Sequence, residues 1–201
     1  MVGPAATPAA VAALIESTLD DRELAWERTG EHGYAVTLPG THKLRTVCNL
    51  VVGGHALRVE AFVMRHPDER HEQLWAWLLR RNARMYGVAF AIDAAGDVYL
   101  TGRVPLHAVT ADELDRLLGA VLTYADESFD SMLEIGYAGA IRREWAWRVK
   151  RGEPLDNLRA FAHLAQGDGP GPADGATDRA AAGPDGGAES GPAGPRPHTA
   201  E

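Results

Sequence analysis

Polar and apolar residues exchange places along this chain with two different periods, and the switches between them predict its elements. From Thr7 to about Asp21, Val11, Leu14, Ile15 and Leu19 recur at helical spacing, with Thr7 as N-cap and Pro8 at the first helical position. The period then falls to two. Leu44, Thr46, Cys48, Leu50 and Val52 alternate with Arg45, Val47, Asn49 and Val51, and Leu57, Val59, Ala61 and Val63 alternate with Arg58 and Glu60. Gly53 and Gly54 separate these runs as a two-residue hairpin signal, and shorter runs at 23 to 29 and 33 to 38 precede them. The pattern predicts an antiparallel meander of four strands.

Pro67, Asp68 and Glu69 then read as the opening of a second helix, because acidic residues suit the positive end of the helix dipole. On a helical wheel, Leu74, Trp75, Leu78, Leu79, Asn82, Met85 and Tyr86 share one broad arc, predicted to pack on the sheet. Trp77, Arg80, Arg81 and Arg84 fall on the other side, so Trp77 is expected to be more exposed than Trp75. Gly87 is the expected helix stop. Asn82 among core positions must find partners for its amide, and the neighbouring backbone is the expected one.

Val88, Phe90 and Ile92 alternate as a strand, "DAAGD" supplies a turn around Gly96, and Val98, Leu100, Gly102 and Val104 form a second strand ended by Pro105. Thr110 and Glu113 have the spacing of a capping box before Leu114, Leu117, Leu118, Val121 and Leu122. The ladder Leu133, Tyr137, Ile141 and Trp145 extends helix to about Arg151, where Gly152 and Pro154 stop it. The pattern leaves open whether that helix runs unbroken through Gly136 and Gly139. Leu155, Leu158, Phe161 and Ala162 mark a short amphipathic arm.

Composition divides the chain unevenly. All Trp, Tyr and Phe residues precede residue 162, whereas Gly, Pro and Ala fill 23 of the 35 positions from 167 to 201. Such a segment has little apolar surface to offset its ordering entropy and is expected to be disordered. We therefore expect a domain over 1–152 with an extended C-terminal helix, an arm over 153–166 and an acidic tail over 167–201. The formal charge is −8, of which the tail contributes −4, a balance that offers no global attraction to nucleic acid or to an anionic membrane. Cys48 is the single cysteine, so no intrachain disulfide can form, and it is expected to pack as a small hydrophobe. The N-terminus has no basic residue before Arg22 and no apolar run reaches membrane-spanning length, so a cytoplasmic location is expected.

With this order of elements in place, "LRVEAFVMRHPDERHEQLWAWLLRRNARMYGVAFAIDAAGDVYLTGRVPL" resembles the YbjN-domain family of bacterial sensory transduction regulators. "LLRRNARMYGVAFAIDAAGDVYLTGRVPL" carries most of the likeness, and "VTADELDRLL" opens the last helix. The resemblance spans roughly residues 10 to 135. It implies an α+β fold like that of type III secretion chaperones, an antiparallel sheet flanked by helices in the order α-β-β-β-β-α-β-β-α, often dimeric. It brings no catalytic residues with it.

Candidate chemistry is sparse. His66, Asp68, His71 and Glu72 in "HPDERHE" lack the one-turn His spacing of a zinc helix, because Pro67 separates the first His from the helix, so no metal site is expected. Asp93 and Asp97 are expected to serve the turn around Gly96. No catalytic spacing, cofactor motif or phosphate loop occurs. Two Trp and Arg sets remain: Trp77 with Arg81, and Arg143, Trp147 and Arg151 on one helical flank. They are either intrahelical stacks or anchors for a partner, since Trp and Arg are enriched at binding hot spots. Gly136, Gly139 and Ala140 would let a second helix approach closely, which favours a homodimer through this helix. The sequence therefore predicts a non-enzymatic, cytosolic, protein-binding protein that forms a dimer and takes no cofactor. A ligand-sensing or nucleic-acid-binding regulator is the alternative, and an enzyme the third reading.

Overall fold

The computed structural model describes residues 7–166, so the acidic tail over 167–201 lies outside the described residues. Thr7 accepts a hydrogen bond from the Ala10 N–H and Pro8 begins α1 (Pro8–Asp21), as its N-cap pattern requires. Four strands follow: β1 (Ala25–Arg28), β2 (Gly33–Pro39), β3 (Arg45–Val52) and β4 (Ala56–Met64). Then come α2 (His71–Asn82), β5 (Ala89–Ile92), β6 (Val98–Pro105) and α3 (Ala111–Arg151). A 3-10 turn over Leu106–Ala108 leads into α3, and a 3-10 segment over Asp156–Gln166 follows it. The element order is the one the sequence predicts.

The six strands form one sheet in the order β1-β2-β3-β4-β6-β5, and every neighbouring pair is antiparallel. Alternation decides which side is core. Val36, Leu38, Cys48, Leu50, Leu57, Val59, Ala61 and Leu100 point to one face and are buried under the helices. α3 crosses β2, β3 and β4, α1 packs beside it on β3, and α2 lies against β5 and α3. Among the described residues the opposite face carries no helix. There Arg45, Val47, Val51, Arg58, Glu60, Phe62 and Arg103 are exposed. Burial pushes the Cys48 thiol up to about 12, so this cysteine is a core hydrophobe and not a nucleophile.

Two helix boundaries differ from the expected ones. α2 begins at His71, with Arg70 in the left-handed region at φ 54°, and not at Pro67. The N–H groups of Asp68 and Glu69 are taken by the Gly136 carbonyl at 3.0 and 3.1 Å, so this segment is a loop docked on α3. α2 ends at Asn82, five residues before Gly87. Two residues of the predicted core arc are exposed, Leu79 within α2 and Tyr86 beyond its end. Asn82 itself does what its position demands. Its Nδ2 donates to the Phe90 carbonyl at 3.1 Å and its Oδ1 accepts the Phe90 N–H at 2.7 Å, so one amide replaces a missing strand partner.

α3 consists of two helical segments that meet in a kink at Tyr137, whose φ of −137° and ψ of 17° are not helical. At Gly136 an added Cβ would lie 2.7 Å from the Pro67 Cβ, and at Gly139 it would meet the Glu69 carboxylate. The small residues expected to admit a second helix therefore admit the β4–α2 loop of the same chain. The Tyr137 hydroxyl donates back to the His66 carbonyl at 2.7 Å, and the Gly139 N–H donates to Glu69. Beyond the kink the arm returns along α3. Phe161 and Leu164 pack with Ala138, Leu133 and Ile141 in a small second core, while His163 meets Glu134 at 3.1 Å. At the other end of α3, Thr110 accepts the Glu113 N–H at 3.1 Å, but the Glu113 carboxylate takes the Tyr86 hydroxyl, which holds the α2–β5 loop.

Replacing Asn82 by Ala leaves the Phe90 N–H and C=O without their partner, at a cost of about 1–3 kcal/mol. Urea unfolding monitored by tryptophan fluorescence measures it.

A candidate binding groove at the end of β4

The outward phase of the sheet should be polar if that face meets only water. It is so only in part: beside Arg45, Arg58, Glu60 and Arg103, Val47 and Val51 on β3 and Phe62 on β4 are exposed there at 40%, 37% and 38%. Phe62 meets Tyr99 of β6 edge to face, ring centres 5.5 Å apart. At the end of β4 this apolar strip runs into a groove of about 390 Å³, lined by Phe62, Val63, Met64 and Arg65, by Phe129, Leu133 and Tyr137 of α3, and by Lys43.

Lys43 reaches the groove from the β2–β3 loop, and Asp126 of α3 sets that loop. One carboxylate oxygen, Oδ1, accepts the N–H groups of Thr41, His42 and Lys43 at 2.9, 2.9 and 2.8 Å. Partial burial raises the Asp126 pKa, and the three backbone donors outweigh that and hold it below the ordinary carboxylate value. One turn along α3, Asp130 meets the His42 Nδ1 at 2.6 Å and raises the imidazole pKa. With the loop so fixed, the Lys43 Nζ donates to the Phe62 carbonyl at 3.0 Å and lies 5.6 and 5.9 Å from the ring centres of Phe62 and Phe129. Desolvation lowers its pKa.

The Trp and Arg sets are placed differently from one another. On α2, the Arg81 guanidinium lies 4.7 Å from the Trp77 ring centre, but Trp77 is half-buried against the main core. Burial lowers the Arg81 pKa, against the pull of Glu127 on α3, so this pair sits at a helix–helix junction and is less exposed than the wheel suggests. On α3, Arg151 lies 4.9 Å from the Trp147 ring centre, and both Trp147 and Val149 are exposed. Arg143 is exposed one turn earlier, its Nη1 beside Gly139. No ring contact joins Trp77 to Trp147 among the described residues.

His66 and His71 come together as tilted rings 4.8 Å apart, and His71 stacks on Trp75. Among the described residues no three His, Cys, Asp or Glu side chains form a metal-holding group. The Asp93 carboxylate accepts the Ala95 and Asp97 N–H groups within the turn, where Gly96 has φ 84°. Asp97 has a second duty that spacing does not reveal, accepting the His66 N–H at 2.8 Å.

The groove itself lay outside the sequence reading. Its signal was nonetheless present, in the apolar Val47, Val51 and Phe62 occupying the outward phase of two alternating strands.

The family model for YbjN, described as "Putative bacterial sensory transduction regulator", matches residues 12–134. The chain belongs to the YbjN family. An uncharacterized protein of Mycobacterium tuberculosis (strain ATCC 25618 / H37Rv) is 49% identical over 156 residues, 75% of this chain and 85% of that protein. One from Mycobacterium leprae is 48% identical over 138 residues, 69% of this chain and 75% of its own. Among solved structures, the chain is similar to the Yersinia pestis type III secretion chaperone SycH, solved with a fragment of YscM2. The identity is 18%, the TM-score 0.43, and the match covers 57% of this chain and 96% of that one. It is also similar to an uncharacterized protein from Methanothermobacter thermautotrophicus, at 19% identity and TM-score 0.45, covering 62% and 96%. The YbjN match contains the whole sheet and the groove residues up to Leu133, and stops just before the kink in α3.

The loop clamp has a defined pH window. The Asp126 pKa is lower folded than unfolded, so its contribution is present above about 3.8 and is lost as pH falls through the folded value. The His42 pKa is higher folded, so its contribution is complete below 6.5 and is lost as pH rises through the folded value. In an NMR titration the His42 ring should have its midpoint above 6.5, and Asp130→Asn should move it down. The Thr41 to Lys43 amide signals should shift once pH falls below about 3.8.

Proposed function

We propose that this YbjN protein is a non-catalytic, cytosolic regulator that works by binding another protein, and that it acts as a homodimer. The observation that carries the binding reading is the bare sheet face. A six-stranded sheet with helices on one side exposes Val47, Val51 and Phe62 on the other, and Phe62 also lines the apolar groove. Exposed apolar surface of this kind costs solubility and is kept where a partner covers it. The chain's net charge of −8 disfavours nucleic acid as that partner, and no helix among the described residues is long and apolar enough to cross a membrane.

The dimer reading rests on the second half of α3, where Trp147, Val149 and Arg151 project with Arg143 from a helix that has left the sheet. An indole stacked under a guanidinium is a large, pre-ordered contact at small entropic cost. Trp77 and Arg81 serve the α2–α3 junction in this reading.

Light scattering should report a dimer for the wild type and a shift toward monomer for Trp147→Ala. Trp77→Ala should lower thermal stability and leave the mass unchanged. A wild-type chain that stays monomeric at high concentration would rule out the dimer. Affinity capture from native lysate should retain a protein on the wild type that the Val47→Glu, Val51→Glu double variant loses; equal retention would place binding elsewhere.

A further inference from the structure

We propose that the groove at the end of β4 receives an apolar side chain of the partner protein while a neighbouring carboxylate of that partner pairs with Lys43. This rests on the protein-binding reading above and specifies what the partner presents. Among the described residues, Lys43 and Arg65 are the only charged side chains lining the groove; the other walls are apolar or aromatic. Neither cation has a carboxylate within ion-pair distance among the described residues. At the Lys43 end Asp126 is engaged by three backbone N–H groups and Asp130 by His42, whereas Asp68 and Asp97 act on Tyr137 at the Arg65 end.

An ammonium group has three donors, and Lys43 spends one on the Phe62 carbonyl while the rings of Phe62 and Phe129 flank it. A partly desolvated ammonium against aromatic faces is poorly compensated, and an incoming carboxylate would supply the charge-assisted bond that the chain itself does not. The groove's 390 Å³ is near the lower end of the roughly 300–1,000 Å³ usual for ligand pockets, which suits one or two side chains and not a large cofactor. Phe62 belongs to both the groove and the bare sheet face, so one partner segment can touch both. Two cations facing apolar walls match an apolar residue next to an acid. They do not match the repeated phosphates of a nucleic acid.

The test is an NMR titration of the full chain with the blocked peptide Ac-Leu-Phe-Glu-Leu-NH2, its glutamine counterpart, and decanoate. The glutamate peptide should shift the amide signals of Lys43, Phe62, Phe129 and Leu133. The glutamine peptide, and the glutamate peptide on Lys43→Met, should bind about fivefold more weakly, the scale of a half-exposed ion pair. Lys43→Arg should keep the affinity, which separates loss of charge from loss of fold. Equal binding of the two peptides, or no effect of Lys43→Met, overturns the proposal. So does decanoate shifting these signals when neither peptide does, because the groove would then take a free amphiphile. A captured protein that the Val47→Glu, Val51→Glu chain loses and the Lys43→Met chain keeps would overturn this inference and leave the protein-binding function standing.

Discussion

The Gly136 carbonyl is the point on which the rest of the molecule turns. In an unbroken helix it would accept the amide four residues on; here it accepts the Asp68 and Glu69 amides, and the helix kinks at Tyr137 in consequence. The exchange satisfies backbone groups on both sides and needs a residue without Cβ, because Pro67 occupies the space where one would stand. It fixes three things together. The β4–α2 loop is docked, so α2 starts late at His71. Tyr137 is turned to form the end wall of the groove, and α3 leaves the sheet in a direction that its own arm can follow back.

A second constraint acts one end of the groove away. Asp126 is a side chain used as a backbone surrogate, one oxygen gathering three N–H groups of a loop that has no regular structure to satisfy them. Its consequence is positional. With the loop held, Lys43 extends over Phe62 and Phe129, and the cation is set against apolar walls. Both latches belong to α3, which therefore organises the sheet, the loop and the groove from one helix.

The division at the kink also separates two kinds of surface. Before it lie the sheet, the bare face and most of the groove, all within the stretch that matches the family. After it lies a helix paired with its returning arm, bearing Trp147 and Val149 on the outside. Burial is unequal between them. The first part has a continuous core from Val11 to Ile135, whereas the second relies on a handful of contacts around Ala138, Phe161 and Leu164.

Period and punctuation alone determined the element order, the buried phase of β3, β4 and β6, the cap at Thr110 and the task of Asn82, because these depend on neighbours within a few residues, whereas Leu44 and Ile92 of the apolar phases are exposed. The family likeness was legible for the same reason, in a helix, strand, turn and strand read as one run. The late start of α2, the early stop at Asn82, the exposure of Leu79 and Tyr86 and the occupation of the small residues at 136 and 139 were not legible. The late start of α2, the place of Tyr86 and the filled space at Gly136 follow from contacts at least 27 residues apart in sequence, since Gly136 with Asp68 and Glu113 with Tyr86 are set by how α3 lies on the sheet. The outward valines and Phe62 stood in the sequence as an unexplained break in alternation. Only the folded sheet, helix-covered on one face and bare on the other, shows that the break is a surface and that Lys43 stands at its end.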